Sequence, residues 1–267
     1  MNVPIIQQNS SQNENKRANQ ALIVWVAFIF TAILINGTIP FVLGKDMHAW
    51  TASPLKDVLF SILCYSVIYL VVPLLLVKKW ETVRQPGFLL PLIIACLAMT
   101  LRTYLRPVAV IAVLMIAYLH WRYNLSDLGF RSRGWRWDVI AILLMGLLGA
   151  ARIFFSSGPL TFAPGSAFLG MLDRLFANPA STTENLFYFG FMTERLSARF
   201  GRGWTPLIIG LMYGLHEMTN PEYWYEGVFF PLIFIGVALF AMIYLWRRSA
   251  IVIWLGDGLE KFLSTLF

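Results

Sequence analysis

Long apolar runs separated by short basic loops dominate the pattern of the chain. The first run covers residues 21–42 and the second about 57–77. Each is long enough for a helix to cross the hydrocarbon core of a bilayer, which is about 30 Å thick. The first run exceeds the length of a signal-peptide core and lacks a small-residue cleavage site, so it predicts a retained transmembrane helix. Residues 1–20 are rich in Asn and Gln without apolar periodicity, which predicts a disordered tail.

The apolar region 87–120 is interrupted by residues 101–107, which include Arg102, Arg106 and Pro107. A single helix would bury both arginines near the middle of the membrane, at a high cost in free energy. Two short helices would instead place them at a turn, with Pro107 at a first helical position.

The distribution of basic residues favours the two-helix alternative. With two helices, 14 of the 21 Lys and Arg residues fall on the side of the N-terminal tail: Lys16, Arg17, Lys78, Lys79, Arg84, Arg122, Arg131, Arg133, Arg136, Arg195, Arg199, Arg202, Arg247 and Arg248. With one helix, every later loop would change sides and the bias would disappear. The positive-inside rule therefore predicts a cytoplasmic N-terminus.

The rest of the chain continues the alternation of apolar runs and loops. A basic loop at 124–136 precedes a predicted span at 137–155, and four further segments follow at about 182–198, 204–219, 226–246 and 249–266. Between them, residues 167–177 have apolar positions at helical spacing, which indicates a helix lying in the membrane interface, with a lid as the alternative. The pattern predicts an all-α polytopic membrane protein of eight or nine transmembrane helices.

Composition supports the membrane assignment and excludes several other classes. The 267 residues are 58% hydrophobic and 13% charged, and the mean hydropathy is +0.66, unlike ordinary soluble domains. The net charge of +7 belongs to the loops and sets orientation, so we expect no nucleic-acid partner. Cys64 and Cys96 lie inside apolar runs and predict neither a disulfide framework nor a thiolate metal site.

Three ionisable residues in the later spans are candidates for chemistry: Glu184, His216 and Asp257. An ionised side chain inside the bilayer costs about 3 kcal/mol on insertion scales, so a chain that keeps one usually gives it a partner or a function. In the predicted topology all three lie in the outer half of the bundle. Two carboxylates and an imidazole suit the activation of a water molecule or the binding of a metal such as zinc.

Each candidate also has a structural interpretation. Glu184 follows three hydroxyl residues and would complement a helix N-terminus from the first turn. His216 would be an interface residue at a helix end. Asp257 precedes Lys261 by four residues, the spacing of an intrahelical ion pair.

The C-terminal half resembles the CPBP intramembrane proteases, a family that includes the CAAX prenyl endopeptidases and bacterial Abi proteins. The family pattern has a basic linker, matched by Leu128-Gly129-Phe130-Arg131, and then a helix of the form Glu-Glu-x-x-x-Arg-Gly, matched in spacing by residues 184–190. A Phe-x-x-x-His helix follows, matched by residues 212–216 with Met in place of Phe. The last helix reads His-x-x-x-Asn, and Ser249 matches a small hydroxyl position ahead of it. On this basis we divide the chain into a tail at 1–20, N-terminal transmembrane helices at 21–123 and a CPBP-like core at 124–267.

Four polar positions depart from the family pattern. Asn185 replaces the second Glu, and Phe189 replaces the Arg. Asp257 and Lys261 replace the His and the Asn of the last helix. Losing a buried acid and base together can be nearly neutral, whereas losing one leaves an uncompensated charge that costs about 3 to 5 kcal/mol.

The resemblance implies an intramembrane endopeptidase of a bacterial plasma membrane that cleaves membrane-associated peptides or proteins. Glu184 would activate water, His216 would orient it or stabilise the oxyanion, and Asp257 would take a supporting position. The four departures leave open an inactive protein that acts by binding, in an immunity or regulatory role. A small transporter is a weaker alternative because the two halves lack corresponding broken helices.

Overall fold

The computed structural model describes residues 5–76, 80–100, 106–120, 134–153, 162–220 and 229–266. All regular structure within these ranges is helical, which confirms the all-α prediction for the described residues. In chain order the helices are α1 (Ile5–Ile33), α2 (Ile39–Val42), α3 (Met47–Thr51), α4 (Pro54–Leu59), α5 (Val72–Leu76), α6 (Trp80–Arg84), α7 (Pro86–Thr100), α8 (Arg106–His120), α9 (Trp135–Ile153), α10 (Pro164–Leu172), α11 (Pro179–Asn185), α12 (Thr193–Glu217), α13 (Phe229–Arg247) and α14 (Ala250–Leu266). Wider π-helical turns occupy Leu34–Thr38, Phe60–Val71, Asp173–Ala177 and Leu186–Met192.

Two helical stretches, Gln12–Val42 and Pro54–Leu76, are long and apolar enough to cross a membrane. They coincide with the first two predicted spans. Shorter apolar helices occupy Pro86–Thr100, Pro107–Ile116 and Pro231–Arg247. The region 87–120 forms two helices, α7 and α8, as the charge distribution predicted.

The N-terminal tail differs from the sequence prediction. Residues 5–20, expected to be disordered, form the beginning of α1. The stretch contains neither Pro nor Gly, and Ala18 is fully buried. The side-chain amide of Gln20 donates to the carbonyl of Leu76, and Arg199 donates to Asn19. Composition alone suggested disorder because these long-range contacts are invisible in a local window.

The later helices follow the predicted segments closely. The span predicted at 137–155 corresponds to α9, and those at 226–246 and 249–266 correspond to α13 and α14. Gly201 breaks α12 with φ 72° and ψ 173°, a left-handed conformation that glycine adopts without strain, so the segments predicted at 182–198 and 204–219 are separated there. Residues 167–177 are helical, and their position in a membrane interface stays a prediction. Most of the basic loop at 124–136 lies outside the described residues.

The chain divides into two compact units that interleave along the sequence. Unit 1 contains Met1–Lys79 and Phe187–Ala241, and unit 2 contains Trp80–Leu186 and Met242–Phe267. These units do not coincide with the division proposed at residue 123, which came from the sequence resemblance and stays a prediction.

In unit 1, α1 packs along α12 and along the π-helical segment Phe60–Val71. The interior of this unit is aromatic. The ring of Phe28 stacks on Tyr69 at 5.0 Å between centroids, and Tyr69 stacks on Phe187 at 4.1 Å. Such pairs contribute about 0.5 to 1.5 kcal/mol beyond the burial of their surface.

In unit 2, α14 packs along α9 and against α10, while α11 packs against α7, α8 and α14. Glycines permit the close approach of α9 and α14. A Cβ on Gly256 would overlap the side chain of Met145, and one on Gly146 would lie 2.7 Å from Leu259. A buried ion pair joins the ends of two helices, with Arg247 Nε 2.8 Å from Asp138 Oδ1.

We expect Gly256→Ala to destabilise unit 2 by about 1 to 3 kcal/mol, because overpacking forces neighbours out of position. Met145 cannot rotate away, since its own Cβ would lie 2.9 Å from the new methyl group. Gly236→Ala is the matched control, because a Cβ there meets nothing within 4 Å. Denaturation in detergent, monitored by circular dichroism, gives the free energy of unfolding of the two variants. Equal values for Gly256→Ala and Gly236→Ala would contradict the packing argument.

Candidate functional site

Helix α11 carries the first candidate, and its start is well defined. The side-chain oxygen of Asn178 accepts a hydrogen bond from the backbone N–H of Ser181 at 3.1 Å, and Pro179 occupies the first helical position. Both features are typical of helix N-termini. The two turns that follow contain Ser181, Glu184 and Asn185.

Asp257 lies in the middle of α14 and is buried, with 5% of its surface exposed. Its Oδ2 atom accepts three hydrogen bonds. The donors are Arg174 Nε at 2.9 Å, Ser181 Oγ at 3.0 Å and Asn185 Nδ2 at 3.0 Å. A charged donor and two neutral donors on one oxygen stabilise the ionised carboxylate inside an apolar unit.

The predicted ion pair between Asp257 and Lys261 is wrong. Asp257 pairs with Arg174, which reaches it from the π-helical segment Asp173–Ala177. Lys261 is exposed, and its side-chain carbons run past Gly170. The i,i+4 spacing permits an intrahelical pair but does not select it when a guanidinium from another segment makes a directed contact.

Glu184 is buried, with 8% of its surface exposed. It is the sixth residue of α11, and the first turn of that helix contains no acidic residue. The alternative of a first-turn acid that complements the helix N-terminus is therefore wrong. The helix begins at Pro179, three residues before the predicted segment 182–198, which puts Glu184 beyond the first turn.

His216 lies near the end of α12 in unit 1, where it is 5% exposed. Phe28 meets its ring edge-on at 4.3 Å between centroids, and Tyr188 stacks nearly parallel at 5.6 Å. Tyr213, one turn earlier on the same helix, lies at 5.3 Å. The residue is thus part of an aromatic interior, unlike the interface position that its place at a helix end suggested.

The structure connects two of the three candidates through one helix. Asn185, the neighbour of Glu184 in α11, donates to Asp257, so the helix that carries Glu184 is bonded to Asp257, and both residues lie in unit 2. His216 belongs to unit 1. The convergence of all three around one water molecule stays a prediction. Among the described residues, no group of three His, Cys, Asp or Glu side chains has the arrangement of a metal site.

Two of the departures from the family pattern contact each other. The resemblance would align Asn185 with the second Glu of the pattern and Asp257 with the His of its last helix, and the side chains of Asn185 and Asp257 are hydrogen-bonded. A carboxylate at 185 would repel Asp257, whereas an amide donates to it. Phe189, at the Arg position, is buried and lies 6.2 Å from Phe240 in unit 1. The substitutions at 185 and 257 are therefore mutually compatible.

Sequence reasoning missed Arg174 and Ser181 as members of the site. The sequence pattern places Arg174 only in the segment 167–177, with its apolar positions at helical spacing, and Ser181 only among the three hydroxyl residues before Glu184. One signal in the sequence points to Arg174. It is a basic residue in a segment predicted to lie on the outer side, whereas most basic residues are predicted to lie on the side of the N-terminal tail. Its partner, 83 positions away in the chain, is not indicated by any local pattern.

Comparisons of the chain with protein-family models, curated proteins and solved structures gave no match. The assignment of a function therefore depends on the residues and geometry described above. The resemblance to the CPBP proteases stays a hypothesis.

We expect Asp257→Ala to lower the free energy of unfolding by about 2 to 3 kcal/mol, because it leaves a guanidinium and two buried donors without their acceptor. Lys261→Ala, four residues later, should change stability by less than about 0.5 kcal/mol. Thermal unfolding of the two variants in the same detergent tests the assignment of the counter-ion. If the Lys261 variant were as unstable as the Asp257 variant, the result would support Lys261 as the counter-ion and contradict the assignment to Arg174.

Proposed function

We propose that the chain is a polytopic integral membrane protein. Support comes from apolar side chains that point outward at helical spacing. On α9 these are Val139, Ile140, Leu143, Leu144 and Leu147, and on α12 they are Trp204, Leu207, Leu211 and Leu215. A contiguous apolar surface of this kind is costly in water and suits a hydrocarbon surrounding. Such stripes on helices other than the two stretches Gln12–Val42 and Pro54–Leu76 favour eight or nine spans, with α10 in the interface.

We further propose that the protein is an intramembrane endopeptidase of the CPBP type, with membrane-associated peptides or proteins as substrates. The observation that carries this proposal is the buried carboxylate of Glu184 in an apolar chain. The helix that carries it also supplies Ser181 and Asn185 to Asp257, so α11 has a second polar contact inside unit 2. An acid retained in such a place is a candidate for function.

In the proposed reaction, Glu184 takes a proton from a water molecule while the water oxygen bonds to the peptide carbonyl carbon. The carbonyl electron pair moves to its oxygen, and an N–H of His216 donates to this oxyanion. When the tetrahedral intermediate collapses, the C–N bond breaks and the leaving nitrogen takes the proton from Glu184. The carboxylate is then restored for another cycle.

Asp257 has a supporting role in this scheme. Its Oδ2 atom already accepts from a guanidinium, and a cation bound to the same carboxylate would be repelled by Arg174. The donor set thus fits a zinc ion poorly at Asp257, and no step above depends on a metal. The carboxylate instead fixes Asn185 and Ser181 on the helix that carries Glu184.

A protein that binds a membrane peptide without cleaving it is the second candidate. The specific observation in its favour is that one oxygen of Asp257 accepts from three donors, which is typical of a structural carboxylate. Asn185 and Phe189 are neutral where the family pattern has Glu and Arg, which also favours binding without cleavage. In this alternative the cluster stabilises a binding surface, in an immunity or regulatory role.

Cleavage assays with purified protein in liposomes separate the two candidates. With a library of hydrophobic and prenylated peptides, we expect Glu184→Gln to reduce turnover by about 100- to 10,000-fold, the usual contribution of a general base. Glu260→Gln on α14 is the matched control and should keep the activity. Cleavage that survives Glu184→Gln would refute the mechanism. Peptide capture by a wild-type protein that cleaves nothing would support the second candidate.

The membrane topology gives a separate prediction. Because the basic loops fall on one side, a reporter fused after Arg248 should lie in the cytoplasm. Alkaline phosphatase and fluorescent-protein fusions at this position report opposite sides of the membrane. A periplasmic location would show that the number of preceding spans differs by one from the proposed number.

A further inference from the structure

The residues on both sides of Arg174 are fixed against α14. The backbone carbonyl of Leu175 accepts a hydrogen bond from Trp254 Nε1 at 3.1 Å. The ring of Phe176 meets the Trp254 ring edge-on, at 5.5 Å between centroids and an interplanar angle of 85°. The segment that carries Arg174 is thus held by a directed hydrogen bond as well as by packing.

A glycine next to Asp257 makes this close approach possible. A Cβ on Gly258 would lie 2.6 Å from Leu175 Cδ2 and 2.7 Å from its Cγ. Any larger residue at 258 would push Leu175 outward, together with the backbone that positions Arg174. The pair Asp257-Gly258 therefore supplies both the acceptor for the guanidinium and the space for the segment that bears it.

We infer that Arg174 is a positioning residue of the candidate site, acting through Asp257 on the helix that carries Glu184. Its Nε–H and the side chains of Ser181 and Asn185 share one carboxylate oxygen. Removing the guanidinium frees that carboxylate to rotate, and Asn185 and Ser181 lose a fixed acceptor. The outer segment 173–177, predicted to lie in the membrane interface, thereby becomes part of the site.

The contact requires a guanidinium and not merely a positive charge. It is made by Nε–H, a donor fixed in the plane of the guanidinium group, at 2.9 Å from Asp257 Oδ2. A lysine ammonium is a rotatable point charge and lacks this directed donor. Arg174→Lys should therefore retain the attraction and lose the orientation.

The role of Arg174 in turnover rests on the proposed endopeptidase function, and steady-state kinetics tests it. For Arg174→Gln we expect kcat to fall by about 10- to 100-fold, the size of effect that follows from small misplacements at a site, with KM changed less than about twofold. Arg174→Lys should be intermediate, and millimolar methylguanidinium should restore part of the activity of Arg174→Ala. Lys261→Gln, which removes a positive charge from the same region, should match the wild type.

Gly258→Ala gives an independent test, because it removes no polar group. It should lower kcat in the same way by displacing Leu175, whereas Gly236→Ala, in open space, should not. If the wild type cleaves and depends on Glu184 while the Arg174 and Gly258 variants behave normally, the inference is wrong and the proposed function stands.

A structural measurement tests the role of Arg174 even if the wild type cleaves nothing. Absence of cleavage by the wild type would refute the proposed function and leave the inference about Arg174 to this measurement. Hydrogen–deuterium exchange of the amides of residues 181–186 should be faster in Arg174→Gln than in wild type or Lys261→Gln. Methylguanidinium should slow the exchange again in Arg174→Ala. Unchanged exchange in α11 would overturn the inference, because the helix would then be held without Arg174.

Discussion

The carboxylate of Asp257 joins α14 to two consecutive segments of unit 2 that lie 72 to 83 positions earlier in the chain. Its Oδ2 atom accepts from a π-helical segment, through Arg174, and from two consecutive turns of α11, through Ser181 and Asn185. An ionised group in an apolar interior is tolerated when its hydrogen-bonding capacity is used by charged and neutral donors together. This acceptor fixes two turns of α11, the helix that carries Glu184, against α14, in addition to the packing of α11 on α7 and α8.

Unit 1 is organised by a different kind of interaction. Aromatic rings stack from Phe28 through Tyr69 to Phe187, and His216 joins this stack at its contact with Phe28. The rings of Phe28, Tyr188 and Tyr213 pack around the imidazole of His216 and hold it in the aromatic interior of unit 1.

Much of the helical architecture could be predicted because its signals are local. The break between α7 and α8 follows from two arginines and a proline, and the break in α12 falls at Gly201. Glu184 and Asp257 were chosen as candidates from the cost of charge in apolar segments, and both are buried. The tail at 5–20 and the partner of Asp257 were mispredicted, because both depend on contacts with residues far away in the chain.

The sequence by itself determined the all-helical class, the order of the segments and the choice of Glu184, His216 and Asp257 as candidates. These features follow from hydrophobic periodicity and from the cost of isolated charges, which act within a few residues. Only the tertiary structure decided that Asp257 pairs with Arg174 and not with Lys261. An ion pair is selected by the direction and distance of its donors in space. For Arg174 that geometry depends on α14, where Trp254 binds the carbonyl of Leu175 and the absence of a side chain at Gly258 lets Leu175 pack closely.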